Sequence, residues 1–197
     1  DGYGSHYIHQ YDKDAKWVRT FGGKGKEPGK FETPHGLWLD DRAGREPSLV
    51  VADRANARLQ YFTLDGKHLS FVDEVSFPAH FDIRGDVLLV PDLHARVSLF
   101  GKNNKLIAHL GHDPAWTEEV KKFKIRADEK LWQPGKFIHP HDACFDKDGN
   151  IFVADGLGNA RIAKFDKEGK FVKSWGKRGT GNGEFANVRS IAVDAQG

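Results

Sequence analysis

The feature that most restricts this chain is its likeness to itself. Offset by 154 positions, residues 1–40 fall on residues 155–194 without a gap, and about a third of the pairs are identical. DGYGSHYIHQYDKDAKWVRTFGGKG thereby lies on DGLGNARIAKFDKEGKFVKSWGKRG. A second offset, 106, superposes PGKFETPHG on PGKFIHPHD. Weaker copies fill the middle, with VADRANARLQYF (51–62) and VPDLHARVSLF (90–100) beside VADGLGNARIAKF (153–165). A unit that recurs about every 40–60 residues and cannot cover its own apolar surface must stack on its neighbours.

Each copy reads as four short strands. The first set is expected at 35–39, 48–52, 57–62 and 67–71, and the second at 80–83, 86–90, 95–100 and 105–110. The third is expected at 141–145, 150–154, 160–165 and 170–175, with a further first strand at 190–193. Alternation such as Ile-Phe-Val-Ala and Arg-Ile-Ala-Lys-Phe suits strands packed sheet on sheet. Asp65-Gly66 and Glu168-Gly169 mark hairpin turns. Fourteen Phe, five Trp and four Tyr suit half-buried pleated surfaces. The fold class expected is all-β: a β-propeller fragment with four-stranded blades.

The pattern divides one partial propeller domain, 1–197, into blade parts 1–30, 31–76, 77–136, 137–184 and 185–197. Three complete blades and two partial ones do not close a ring by themselves, and open strand edges invite association. One stretch breaks the period. In residues 113–132, DPAWTEEVKKFKIRADEKLW, Pro114 suits a first helical turn, and Trp116, Val120 and Phe123 share a helical face. A short amphipathic helix is expected there, as a packing element or as a lid over a channel mouth.

Charge excludes some functions. The formal net charge is +2 and the Lys and Arg residues are scattered, so no basic stripe argues for nucleic acid. No apolar run approaches the ~18 residues of a membrane-spanning helix. The single Cys144 rules out an internal disulfide framework and leaves the compartment open.

Candidate chemistry gathers at the starts of the first strands. They read Pro34-His35, Pro78-Ala79-His80, Pro140-His141 and Val188-Arg189. In a propeller these positions face a central channel, so His35, His141 and the more irregularly spaced His80 either converge on one metal ion or hydrogen-bond within a polar channel. Arg58, Arg96 and Arg161 recur at one repeat position, which suits a structural role, whereas Arg54 has no counterpart and is a candidate for gripping a substrate carboxylate or else a solvated turn residue. Residues 146–150 (DKDGN) resemble part of a calcium loop but lack the distal Glu and read as a hairpin turn. The runs GGKGKEPG and GKRGTGNG lack P-loop order and read as blade connections.

Together, DGYG, ADRANAR, PGKFETPHG and HPHDACFDKDGNIFVADGLGNARI resemble NHL repeats and, more narrowly, the catalytic propeller of the peptidyl-α-hydroxyglycine α-amidating lyases. That resemblance implies a six-bladed propeller. It also implies zinc held by His35 and His141 together with a third His outside this chain, and structural calcium held by Asp142, which otherwise reads as a channel-facing hydrogen-bond acceptor. His80 lies in a blade that gives the family no zinc ligand. His139 stands where the family has Met, so it adds a ligand or alters the pocket. Tyr3 matches the family's active-site Tyr; Leu157 occupies the matching place in the other repeat copy. The resemblance implies a peptide or small-molecule substrate and favours a secreted or periplasmic setting. A non-catalytic NHL propeller that binds a protein, peptide or RNA is the alternative.

Overall fold

The computed structural model describes residues 1–156 and 160–194. These fall into two compact units, Asp1–Pro78 and Ala79–Gly197. The first holds β1 (Tyr7–Tyr11) paired with β2 (Trp17–Gly22), followed by a four-stranded antiparallel sheet of β3 (Pro34–Asp40), β4 (Ser48–Asp53), β5 (Arg58–Phe62) and β6 (His68–Val72) in chain order. The second holds two more such sheets. One is β7 (Asp82–Arg84), β8 (Val87–Asp92), β9 (Arg96–Phe100) and β10 (Leu106–Leu110); the other is β11 (Pro140–Phe145), β12 (Ile151–Asp155), β13 (Arg161–Phe165) and β14 (Phe171–Trp175). A short parallel pair, β15 (Lys177–Arg178) and β16 (Glu184–Phe185), follows.

Two devices repeat from sheet to sheet. At the hairpin between third and fourth strands, or between first and second, an Asp carboxylate accepts the backbone N–H groups two and four residues on. Asp12 holds Asp14 and Lys16 at 2.9 Å each, Asp146 holds Asp148 at 3.0 Å and Asn150 at 2.8 Å, and Asp166 holds Glu168 at 3.1 Å and Lys170 at 2.8 Å. Residues 146–150 are therefore a side-chain-capped turn. The second device is a left-handed corner before each third strand. His6, Ala57, Ala95 and Ala160 occupy one repeat position, with φ of 62°, 54°, 64° and 51°. Strands expected to begin on those alanines begin one residue later, because a strand cannot start on a positive φ.

Each unit has its own core. In the first, Phe31, Val51 and Phe62 are fully buried with Ile8, Phe21 and Leu49 against them. In the second, Leu89 and Val97 of one sheet meet Ala143, Ile151, Val153 and Phe165 of the next, so the two sheets pack face to face. Truncating a ring such as Phe62 to Ala should cost about 3–5 kcal/mol.

Residues 113–132 form α1 (Pro114–Lys121), capped by the Asp113 carboxylate on the Trp116 N–H, and two 3₁₀ turns. Val120 is buried with Ile125 and Ile138, and Trp116 donates from its indole to the Phe137 carbonyl. Phe123 departs from the expected shared face. The helix ends at Lys121, and Phe123 sits in the left-handed region (φ 60°) with its ring half exposed. Residues 190–193, expected as a strand, form none, and β7 begins at Asp82 rather than at His80. At the latter place the Ala79 N–H bonds to the Pro91 carbonyl outside the ladder.

Candidate functional site

The segments that carry the candidate histidines are pinned by a repeated Asp–Arg pair. Asp53, at the end of β4, accepts from Arg58 Nε at 2.7 Å and from the Glu32 backbone N–H at 2.8 Å. Asp155, at the end of β12, accepts from Arg161 Nε at 3.0 Å and from the backbone N–H groups of Ile138 at 3.0 Å and His139 at 2.8 Å. Both carboxylates are fully buried. In these two repeats the recurring arginines, Arg58 and Arg161, therefore hold the aspartates that fix the entry to the His35- and His141-bearing strands. The D…AR motif shared by the three full copies was the sequence signal for this role.

In the first unit, three predicted residues come together. Arg54 Nη1 donates to the Tyr3 hydroxyl at 3.0 Å across 51 positions of sequence. The Tyr3 and His35 rings meet edge to face with centroids 6.2 Å apart. Arg54 is 3% exposed, whereas Tyr3 is 77% exposed. The guanidinium also donates from Nε to the Pro78 carbonyl at 3.1 Å and lies over the Phe77 ring, 5.2 Å from its centroid. Arg54 is thus not a solvated turn residue but an interior group that reaches Tyr3. Phe77 was not singled out in the sequence, where nothing distinguishes it from the other phenylalanines. A cavity of about 350 Å³ in this unit is lined by Ile8, His9, Phe21, Leu37 and Leu49 and by none of these residues.

In the second unit, three imidazoles share one feature: a protein oxygen holds Nδ1. His141 Nδ1 donates to the Arg189 carbonyl at 2.9 Å, His139 Nδ1 to the Leu93 carbonyl at 2.9 Å, and His80 Nδ1 to the Asp142 carboxylate at 2.8 Å. A carbonyl on Nδ1 requires a proton there, which leaves the lone pair on Nε2, the tautomer a metal-bound imidazole uses. In donor chemistry His139 and His141 fit zinc. Among the described residues, no group of three or more His, Cys, Asp and Glu side chains is gathered to hold an ion.

The two histidines that flank Pro140 diverge. His139 is 2% exposed, and its ring lies near Phe123, centroid to centroid 5.3 Å, with the Arg126 guanidinium also over the Phe123 ring. Burial makes His139 harder to protonate. His80 moves the other way, because its hydrogen bond to Asp142 favours the imidazolium. Burial works to raise the Asp142 pKa, but bonds from His80 and Ser190 outweigh it and bring the pKa down. That carboxylate is occupied on both oxygens, so as arranged it does not fit a calcium ion. Leu157, the counterpart of Tyr3, lies outside the described residues.

Sequence comparisons agree with the propeller fold. A six-bladed β-propeller family model (DUF5128) matches residues 139–197. Peptidyl-glycine alpha-amidating monooxygenase of Mus musculus is 28% identical over 165 residues, which cover 81% of this chain and 16% of the mouse protein. Peptidyl-alpha-hydroxyglycine alpha-amidating lyase 1 of Drosophila melanogaster is 41% identical over 49 residues, 23% of this chain and 9% of the fly protein. The chain is a β-propeller that resembles the amidating lyases. It spans only 16% of the length of the mouse relative. Among solved structures, a streptogramin B lyase superposes with a TM-score of 0.57 at 15% identity, covering 86% of this chain and 47% of the other. A Bacteroides caccae protein of unknown function superposes with a TM-score of 0.57 at 12% identity, covering 93% and 62%. At those identities the likeness concerns the propeller fold alone.

Proposed function

We propose that this propeller carries part of a lyase site for peptides that end in α-hydroxyglycine, releasing the peptide amide and glyoxylate. The observation that carries this reading is the meeting of Tyr3, Arg54 and His35 in the first unit. In the reaction the substrate hydroxyl loses its proton, its oxygen becomes a carbonyl oxygen, the carbon–nitrogen bond breaks, and the amide nitrogen takes up a proton. In this reading Tyr3 Oη, exposed and accepting a hydrogen bond from the Arg54 cation, takes the hydroxyl proton. Arg54, sealed between Phe77 and the Pro78 carbonyl, orients that oxygen. His35, beside the Tyr3 ring, is the imidazole of this unit that would hold zinc. A zinc ion, when bound, would supply Lewis-acid stabilisation of the developing negative charge.

The test is direct. The purified protein is incubated with a fluorescent peptide ending in α-hydroxyglycine, and amidated peptide and glyoxylate are counted above the uncatalysed background, with zinc content measured in parallel. The reading expects both products in equal amounts, a drop of at least about a hundredfold for Tyr3→Phe, and loss of zinc for His35→Ala. Product formation equal to background in zinc-loaded protein would overturn it.

A further inference from the structure

Asp142 sits on β11 and is 4% exposed. Its carboxylate accepts four hydrogen bonds, all from protein groups. Oδ1 takes His80 Nδ1 at 2.8 Å and the Ala143 N–H at 2.9 Å. Oδ2 takes Ser190 Oγ at 2.6 Å and the Ile191 N–H at 3.1 Å. A carboxylate offers about four acceptor positions, so this one is full. A calcium ligand must turn at least one lone pair to the ion. The donors come from far along the chain, His80 from 62 residues before and Ser190 from 48 residues after. They belong to three successive repeats: His80 precedes the β7–β10 sheet, Asp142 lies in the β11–β14 sheet, and Ser190 follows β16.

We infer that His80, Asp142 and Ser190 form a cation-free clasp between three successive repeats, doing by direct hydrogen bonds what a calcium ion bound at Asp142 would do. The clasp is local to this unit. The repeat counterpart of both Asp142 (offset 106) and Ser190 (offset 154) is Gly36, which has no side chain to offer. A half-satisfied version would be costly, since a buried carboxylate stripped of charge-assisted donors bears its full desolvation penalty. The clasp therefore requires His80 and Ser190 together.

Thermal unfolding of the whole chain, in millimolar calcium chloride and in excess EDTA, tests this without reference to any lyase assay. The clasp predicts the same Tm in both conditions for the native protein. It also predicts a fall of about 4 °C or more for Ser190→Ala and for His80→Ala. Should His80→Ala fail to fold, Ser190→Ala, which removes one hydroxyl, and Asp142→Asn, which keeps the shape, carry the comparison. A calcium-induced rise in the native Tm that disappears in Asp142→Asn would overturn the inference. Unchanged Tm values in the His80 and Ser190 variants would overturn it as well.

Discussion

A side-chain carbon on Gly156 would lie 1.6 Å from the carbonyl oxygen of Val188. The same approach occurs 154 positions earlier, where a Cβ on Gly2 would stand 2.1 Å from the carbonyl oxygen of Pro34. In both copies the residue after the turn Asp is pressed against the backbone that leads into the next first strand, and only hydrogen fits. Gly156→Ala should therefore destabilise the chain by about 3–5 kcal/mol. Gly85, where a Cβ meets nothing within 4 Å but φ is +57°, should lose only about 1 kcal/mol on the same change. Urea unfolding of the two variants side by side checks the contrast.

A fully buried ion pair offers a second test. Arg42 donates to Asp40 from Nε at 2.8 Å and from Nη2 at 2.6 Å, and the Tyr61 hydroxyl adds a bond to Asp40 at 3.0 Å. Neither side chain of the pair reaches solvent. Burial alone would raise the Asp40 pKa, but the Arg42 contacts prevail and hold it low. Asp40→Ala removes the carboxylate and leaves the guanidinium interior, which should cost about 3–5 kcal/mol. The double change Asp40→Leu with Arg42→Met should recover most of that loss, as chemical denaturation would show.

Acid sensitivity should come in part from His109. This residue pairs across the β9–β10 ladder with Ser98, with Nδ1 2.9 Å from Ser98 Oγ. Burial, helped by the nearby Arg96, lowers its pKa from 6.5 to about 4. The unfolded chain then binds a proton at higher pH than the folded chain does. The contribution of His109 to stability is thus complete above pH ~6.5, declines as pH falls, and is gone by pH ~4. His109→Gln should flatten that part of the Tm–pH curve measured between pH 7 and 4.

Cys144 should be chemically quiet while the fold is intact. It is 9% exposed, and burial, reinforced by Asp82 and Asp142, pushes its thiol up to about 12. Alkylation by iodoacetamide at mildly alkaline pH should run at least about a hundredfold slower than for a free thiol and should recover in urea. Rapid labelling of native protein would show that β11 opens.

The repeat made the strands legible because the three full copies share a D…AR motif, and two of them an Asp and a Gly at the following hairpin. Twelve strands were expected in the three complete sets, and all twelve appear in the sheets, with ends displaced by one or two residues. The displaced starts of the third strands trace to a corner conformation that alanine does not advertise in sequence. Tyr3 was singled out by motif likeness, His35 by its place at the start of a first strand and Arg54 by its lack of a repeat counterpart, but their meeting was not read from the sequence. The burial of Arg54 was not, because it depends on Phe77 and Pro78 folding over it. The link from His80 to Asp142 was hidden for the same reason: it joins residues of two different repeats, and no single repeat contains both partners.

The sealed position of Arg54 bears on how any chemistry at Tyr3 responds to its surroundings. Mobile ions screen charges that they can approach, and they cannot approach a guanidinium enclosed by an aromatic ring and a peptide carbonyl. A surface arginine would lose its hold on a phenolic oxygen as potassium chloride is added. Turnover that depends on Tyr3 should instead stay nearly level from dilute buffer to about half-molar salt.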